Sequence, residues 1–176
     1  MRVPPLPADR WDDEVDDALR VMLPRRMRNP ESASNVLSSL VRHPALTKAF
    51  LTFNVHLLFR SPLPARLREL AILRVAHRRN CVYEWNHHRE AARELGFTDA
   101  QIEAVRAGTA GTALDQLILR AVDEIDDTAN LTDATWNALC DRLDEHQRMD
   151  LVFTVGCYAT LAAAVNTFGI RSEYER

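Results

Sequence analysis

Helix breakers are scarce and unevenly placed in this chain. Among 176 residues there are five glycines and eight prolines, and the prolines lie before Leu67. A long stretch with few breaks and many helix formers favours helices, and no apolar/polar alternation of useful length argues for a strand. The pattern predicts an all-α, single-domain helical bundle. With 47% hydrophobic residues the chain can build one ordinary core. Residues 31–176 read as that domain and 1–30 as an N-terminal extension, whose helix carries Trp11, Val15, Leu19 and Met22 at helical spacing and docks on the main body.

Local signals divide the rest. Asn35 to Arg42 and Pro44 to Phe59 read as helices, the second burying Phe50, Phe53, Leu57 and Leu58. Ala65 to Arg78 is apolar on most of its circumference and suits a central helix. Asn80 can cap a helix from Cys81 to Leu95, stopped by Gly96. Thr98 to Gln101 has the form of a capping box for a short helix ending near Gly108. Leu114 to Ile125, a helix capped by Thr132, and Gln147 to Phe168 follow. The last is apolar on nearly all sides, which predicts a homo-oligomer.

Composition narrows the partners. A net charge of -3, with 22 basic residues scattered among 25 acidic ones, argues against nucleic acid. Met1 to Glu14 lacks the apolar core of a secretory signal, so a cytoplasmic protein is expected. The nearly apolar run Leu151 to Val165 falls short of the roughly 20 residues a bilayer span needs, so no membrane partner is expected. Cys81, Cys140 and Cys157 are too few and too widely spaced for a disulfide scaffold and read as reduced thiols.

The chemistry concentrates in Cys81-Val82-Tyr83-Glu84-Trp85-Asn86-His87-His88, with Glu69 twelve residues before Cys81. On a helix Cys81, Glu84 and His88 fall within an arc of roughly 60°. A helix amino terminus would favour a thiolate at Cys81. Glu84 and His88, at i and i+4, could pair for proton transfer, and Glu69 joins them if its helix packs across that face. A carboxylate in apolar surroundings gains a raised pKa suited to that task.

These residues resemble the carboxymuconolactone decarboxylase family, which includes the D-type alkylhydroperoxidases. Arg68-Glu69-Leu70-Ala71-Ile72-Leu73-Arg74-Val75-Ala76 with Tyr83 to His88 is similar to the family's core helix pair. Arg93 to Thr98, Leu151 to Tyr158 and Asn166 to Ile170 extend the likeness across about Phe50 to Ile170. The resemblance implies an all-α fold, trimers or hexamers, and a site between packed helices. The peroxidase branch carries a Cys-x-x-Cys pair, whereas here Glu84 stands at the second cysteine. Glu69, Cys81 and His88 match.

Without a resolving thiol the two-cysteine peroxide cycle is not available. The resemblance then implies a cofactor-independent lyase acting on a small carboxylate or lactone. His88 is the proton donor or base, Glu84 or Glu69 orients it, Arg74 and Arg78 are candidate carboxylate clamps, and Tyr83 and Trp85 are pocket walls. The alternative is a single-cysteine peroxide reductase using Cys81. A non-catalytic interaction module is the third reading, against which stand ionisable groups aimed inward. Each residue also has a plainer role: Cys81 as a small buried side chain, Glu69 as a structural carboxylate. Glu84-x-x-His87 has the spacing of di-iron bundles but lacks the second such motif, so no metal is expected.

Overall fold

The computed structural model describes residues 1–173, and among them every regular element is helical. The helices are α1 (Asp13–Leu19), α2 (Asn35–Leu40), α3 (Pro44–Val55), α4 (Ala65–Arg78), α5 (Val82–Glu94), α6 (Asp99–Arg106), α7 (Ala113–Thr128), α8 (Asp133–Cys140) and α9 (Glu145–Phe168). The described residues divide into two compact units, one of residues 1–60 with 164–173 and one of residues 61–163.

In the first unit Val15, Leu19, Leu37, Val41 and Leu51 form a core with Leu6, and Trp11, Met22 and Phe50 pack against it. Each large aliphatic side chain removed from water there contributes about 1.5–3 kcal/mol. The amino-terminal segment is tied down by backbone bonds from Arg2 and Val3 to the Phe168 carbonyl and from Leu6 to the Ser38 carbonyl. Helix α1 packs on α3, and its buried side chains are part of this core.

Helix α3 also departs from the sequence pattern. Its buried face runs through Thr47, Leu51, Asn54 and Val55, so Phe53 is exposed. The segment His56–Arg60 then winds as a single π turn, which places Leu57 inside and Phe59 outside.

The second unit is built around α4, whose residues Leu67 and Glu69 to Ala76 are buried. Helices α5, α6 and α7 pack on it. The Thr98/Gln101 capping box and the Thr132 cap form as the sequence predicts. Asn80 does not cap α5. It sits in the left-handed region at φ 51°, Cys81 N–H donates to the Ala76 carbonyl at 2.8 Å, and Asn80 N–H donates to His77 at 3.0 Å. Those two bonds are the Schellman closure of α4, with asparagine in the position glycine usually fills. Cys81 becomes the cap residue of α5, without a side-chain capping bond.

By length and composition alone α9 could cross a bilayer. Its buried residues Leu151, Val155, Tyr158, Ala162 and Val165 recur every three or four positions, the pattern of a helix packed along one side.

Candidate active site

The tight turn between α4 and α5 folds the two helices into neighbours and brings Glu69 against His88, nineteen residues later. His88 Nδ1 lies 2.6 Å from Glu69 Oε2; the Glu69 side chain is 3% exposed and that of His88 15%. An ionised carboxylate can only accept, so it selects the tautomer with the proton on Nδ1 and leaves Nε2 as the reactive nitrogen. Among the described residues Nε2 has no hydrogen-bond partner. The Tyr158 ring of α9 stands edge-on to the imidazole, with centroids 4.9 Å apart and planes at 89°, and fixes its tilt. The other oxygen of Glu69 faces Arg68, with Nε 3.4 Å from Oε1.

One turn nearer the start of α5, Cys81 and Glu84 form a second pair of different character. Both are buried, at 1% and 2% exposure. Neither Glu84 oxygen has a geometrically sound hydrogen bond. Burial pushes the Glu84 carboxyl up to about 8, against a smaller lowering influence from the Cys81 thiol. Burial likewise raises Cys81, with the Glu84 charge adding to it, to about 12, although backbone N–H groups of Glu84 and Tyr83 pull the other way. The helix terminus thus acts in the direction the sequence suggests, but desolvation outweighs it. Cys81 is held as a thiol, a correction to the expected thiolate.

The expected Glu84/His88 pair also gives way. Their i, i+4 spacing is overridden because the carboxylate that reaches His88 comes from α4. The site therefore holds an imidazole with a carboxylate partner beside a carboxyl that remains protonated near neutrality.

Arg74 and Arg78 are not available as clamps. Arg74 makes a two-pronged bond to Asp123 at 2.7 and 3.0 Å and gives its remaining nitrogen to the Val105 and Arg106 carbonyls at 2.9 and 3.0 Å. Arg78 contacts Asp123, Asp126 and Asp127. Their donors tie α4 to α7 and to the end of α6, a structural task. Trp85 is buried between the Arg106 guanidinium, 4.0 Å from its ring centroid, and His77. Tyr83 stacks on His87 at 4.4 Å. Both are packed in the helix layer.

Sequence reasoning passed over Tyr158 and Arg68 as site residues. Tyr158 has no local signal beyond its place on an apolar helix; Arg68 stands directly before Glu69 but was not separated from the other arginines of α4. Among the described residues no group of three or more His, Cys, Asp or Glu side chains is placed to hold a metal ion.

Residues 44–127 match the model of the carboxymuconolactone decarboxylase family. No protein of curated function matches the sequence. Similar solved structures include an uncharacterized peroxidase-related protein from Silicibacter sp. TM1040, at TM-score 0.78 and 16% identity, covering 99% of this chain and 94% of that one. An alkylhydroperoxidase AhpD core protein from Ralstonia eutropha JMP134, also an uncharacterized peroxidase-related protein, has TM-score 0.77 and 14% identity over 99% and 95%. The debrominase Bmp8 in its apo form has TM-score 0.76 and 14% identity over 98% and 92%. At such identities the structural likeness speaks for the fold.

Proposed function

From the match of residues 44–127 to the carboxymuconolactone decarboxylase family, we propose that this chain is a cofactor-independent lyase that removes carbon dioxide from a small lactone or related carboxylic acid. The observation that carries this reading is the 2.6 Å contact between His88 and the buried Glu69. Loss of carbon dioxide leaves an electron pair on carbon, delocalised into the adjoining unsaturated system, which must then be protonated. Protonated on both ring nitrogens, His88 donates its Nε2 proton to that carbon and returns to the neutral imidazole, while its carboxylate partner holds the ring and stabilises the charge it carries before the transfer. Glu84, neutral near pH 7 through burial, adds no negative charge to repel an anionic substrate.

The test is release of carbon dioxide from a panel of unsaturated lactone acids by the purified protein with no added metal or cofactor. Turnover that falls about 10²- to 10⁴-fold in His88→Ala supports the assignment. Full turnover in that variant contradicts it.

A peroxide reductase using Cys81 is the rival, favoured by the peroxidase-related names of two structural neighbours. Against it stands the raised pKa of the buried thiol, because only the thiolate attacks peroxide efficiently. Hydroperoxide consumption with a thiol reductant, lost in Cys81→Ser at equal fold integrity, would establish the rival.

A further inference from the structure

We propose that Arg68 is the residue of this site that binds the carboxylate of the acid substrate. The inference rests on the proposed acid/base role of His88 and names the ligand chemistry of the same site. Four other arginines lie on or directly after α4, and their side chains are otherwise engaged. Arg66 is on Asp115 and over the Phe97 ring, Arg74 on Asp123 and two carbonyls, Arg78 on three aspartates, and Arg79 on Asp126. Arg68 differs from these.

Among the described residues its side chain makes one contact, from Nε to Glu69 Oε1 at 3.4 Å. Among the described residues its terminal nitrogens have no protein partner, and they are not sealed from solvent, although the side chain as a whole is only 14% exposed. A guanidinium held along its stem with its forked end unspent presents two parallel donors, the geometry that matches a carboxylate. Glu69 fixes the location of that fork. One of its oxygens meets Arg68 and the other meets His88. A carboxylate seated on Arg68 therefore leaves the body of a small molecule beside the imidazole. Arg68 also offsets the repulsion that Glu69 would exert on an incoming anion.

Calorimetric titration of the full chain with a butenolide acetate, an unsaturated lactone bearing one carboxylate, and with its methyl ester tests the role. The unaltered protein is expected to bind the acid roughly 10- to 100-fold more tightly than the ester, the range of a charged hydrogen-bonded contact. Arg68→Gln should bind both at the level of the ester. Arg68→Lys, which keeps the charge but loses the fork, should fall between. A preference that survives in Arg68→Gln, equal binding of acid and ester by the unaltered protein, or no measurable binding of the acid overturns the proposal. Should Arg68→Gln fail to fold, Arg68→Lys decides: a preference reduced threefold or more supports it and an unchanged one overturns it. Binding is read without turnover. A protein that shows the Arg68-dependent preference but releases no carbon dioxide overturns the decarboxylase reading alone, and turnover without that preference overturns the role of Arg68 alone.

Discussion

At the carboxyl end of α4, Arg74, Arg78 and Arg79 meet Asp123, Asp126 and Asp127. Earlier on the same helix Glu69 divides itself between His88 and a partly spent Arg68, and just beyond the helix Cys81 and Glu84 are buried with no sound hydrogen bond to either Glu84 oxygen. The same residue types serve two ends. Where each donor finds its acceptor, charge holds helices together. Where buried polar atoms lack partners, folding carries a cost that a structural role does not explain. The contrast supports the proposal that the chemistry lies around Glu69, His88 and Glu84 and the scaffold around Asp123.

Substitutions should separate the two regions, and the largest effect is expected at the imidazole. His88→Ala should lower decarboxylation about 10²- to 10⁴-fold per folded molecule, a loss in rate beyond whatever stability is lost when buried Glu69 loses its partner. Glu69→Gln should cost on the order of 10²-fold, because the amide no longer favours the Nδ1 proton or offsets imidazolium charge; steady-state kinetics over a pH series would show it.

At the scaffold end the effect should move from rate to stability. Arg74→Met leaves the Val105 and Arg106 carbonyls without that donor and Asp123 with Arg78 alone, and urea unfolding should show a loss of about 2–4 kcal/mol, with turnover per folded molecule unchanged. A dead but stable Arg74→Met would erase the distinction between the regions.

Glu84 links site chemistry to stability through pH. Its folded pKa, about 8, lies above the ordinary 4.5, so the folded state holds a proton that the unfolded chain has released between those values. Stability contributed by the neutral carboxyl is full below about 4.5 and is lost as pH rises through 8. Glu84→Gln should match the unaltered protein in thermal unfolding at pH 4.5 and exceed it at pH 9, by an amount on the order of a few kcal/mol. An unchanged pH dependence in the variant would show that Glu84 is not buried neutral. The smallest effect belongs to Cys81→Ser, expected to change decarboxylation less than about threefold.

Much of the fold was legible because its signals are local. The bounds of α4, the Thr98 capping box and the Thr132 cap lie where the sequence puts them. Asn80 misleads because asparagine suits both a helix start and a left-handed helix stop, and the choice depends on the Cys81 bond back to Ala76. Helix α1 shows its buried face in the sequence, but that face alone does not name α3 as the helix it packs on.

The site was legible in its residues and less so in its pairings. Glu84 stands four residues from His88, yet Glu69 reaches it, because the crossing of α4 and α5 sets that distance. Arg74 and Arg78 resembled clamps because their aspartate partners lie 45 to 49 residues away. The helix-terminus argument for a Cys81 thiolate had the right sign but could not weigh burial.

The most direct measurement is carbon dioxide release from an unsaturated lactone acid by His88→Ala and Cys81→Ser, compared with the unaltered protein at equal folded concentration. The expected result is near-complete loss in His88→Ala and near-full activity in Cys81→Ser. Activity abolished in Cys81→Ser and retained in His88→Ala would contradict the assignment of proton transfer to the Glu69/His88 pair.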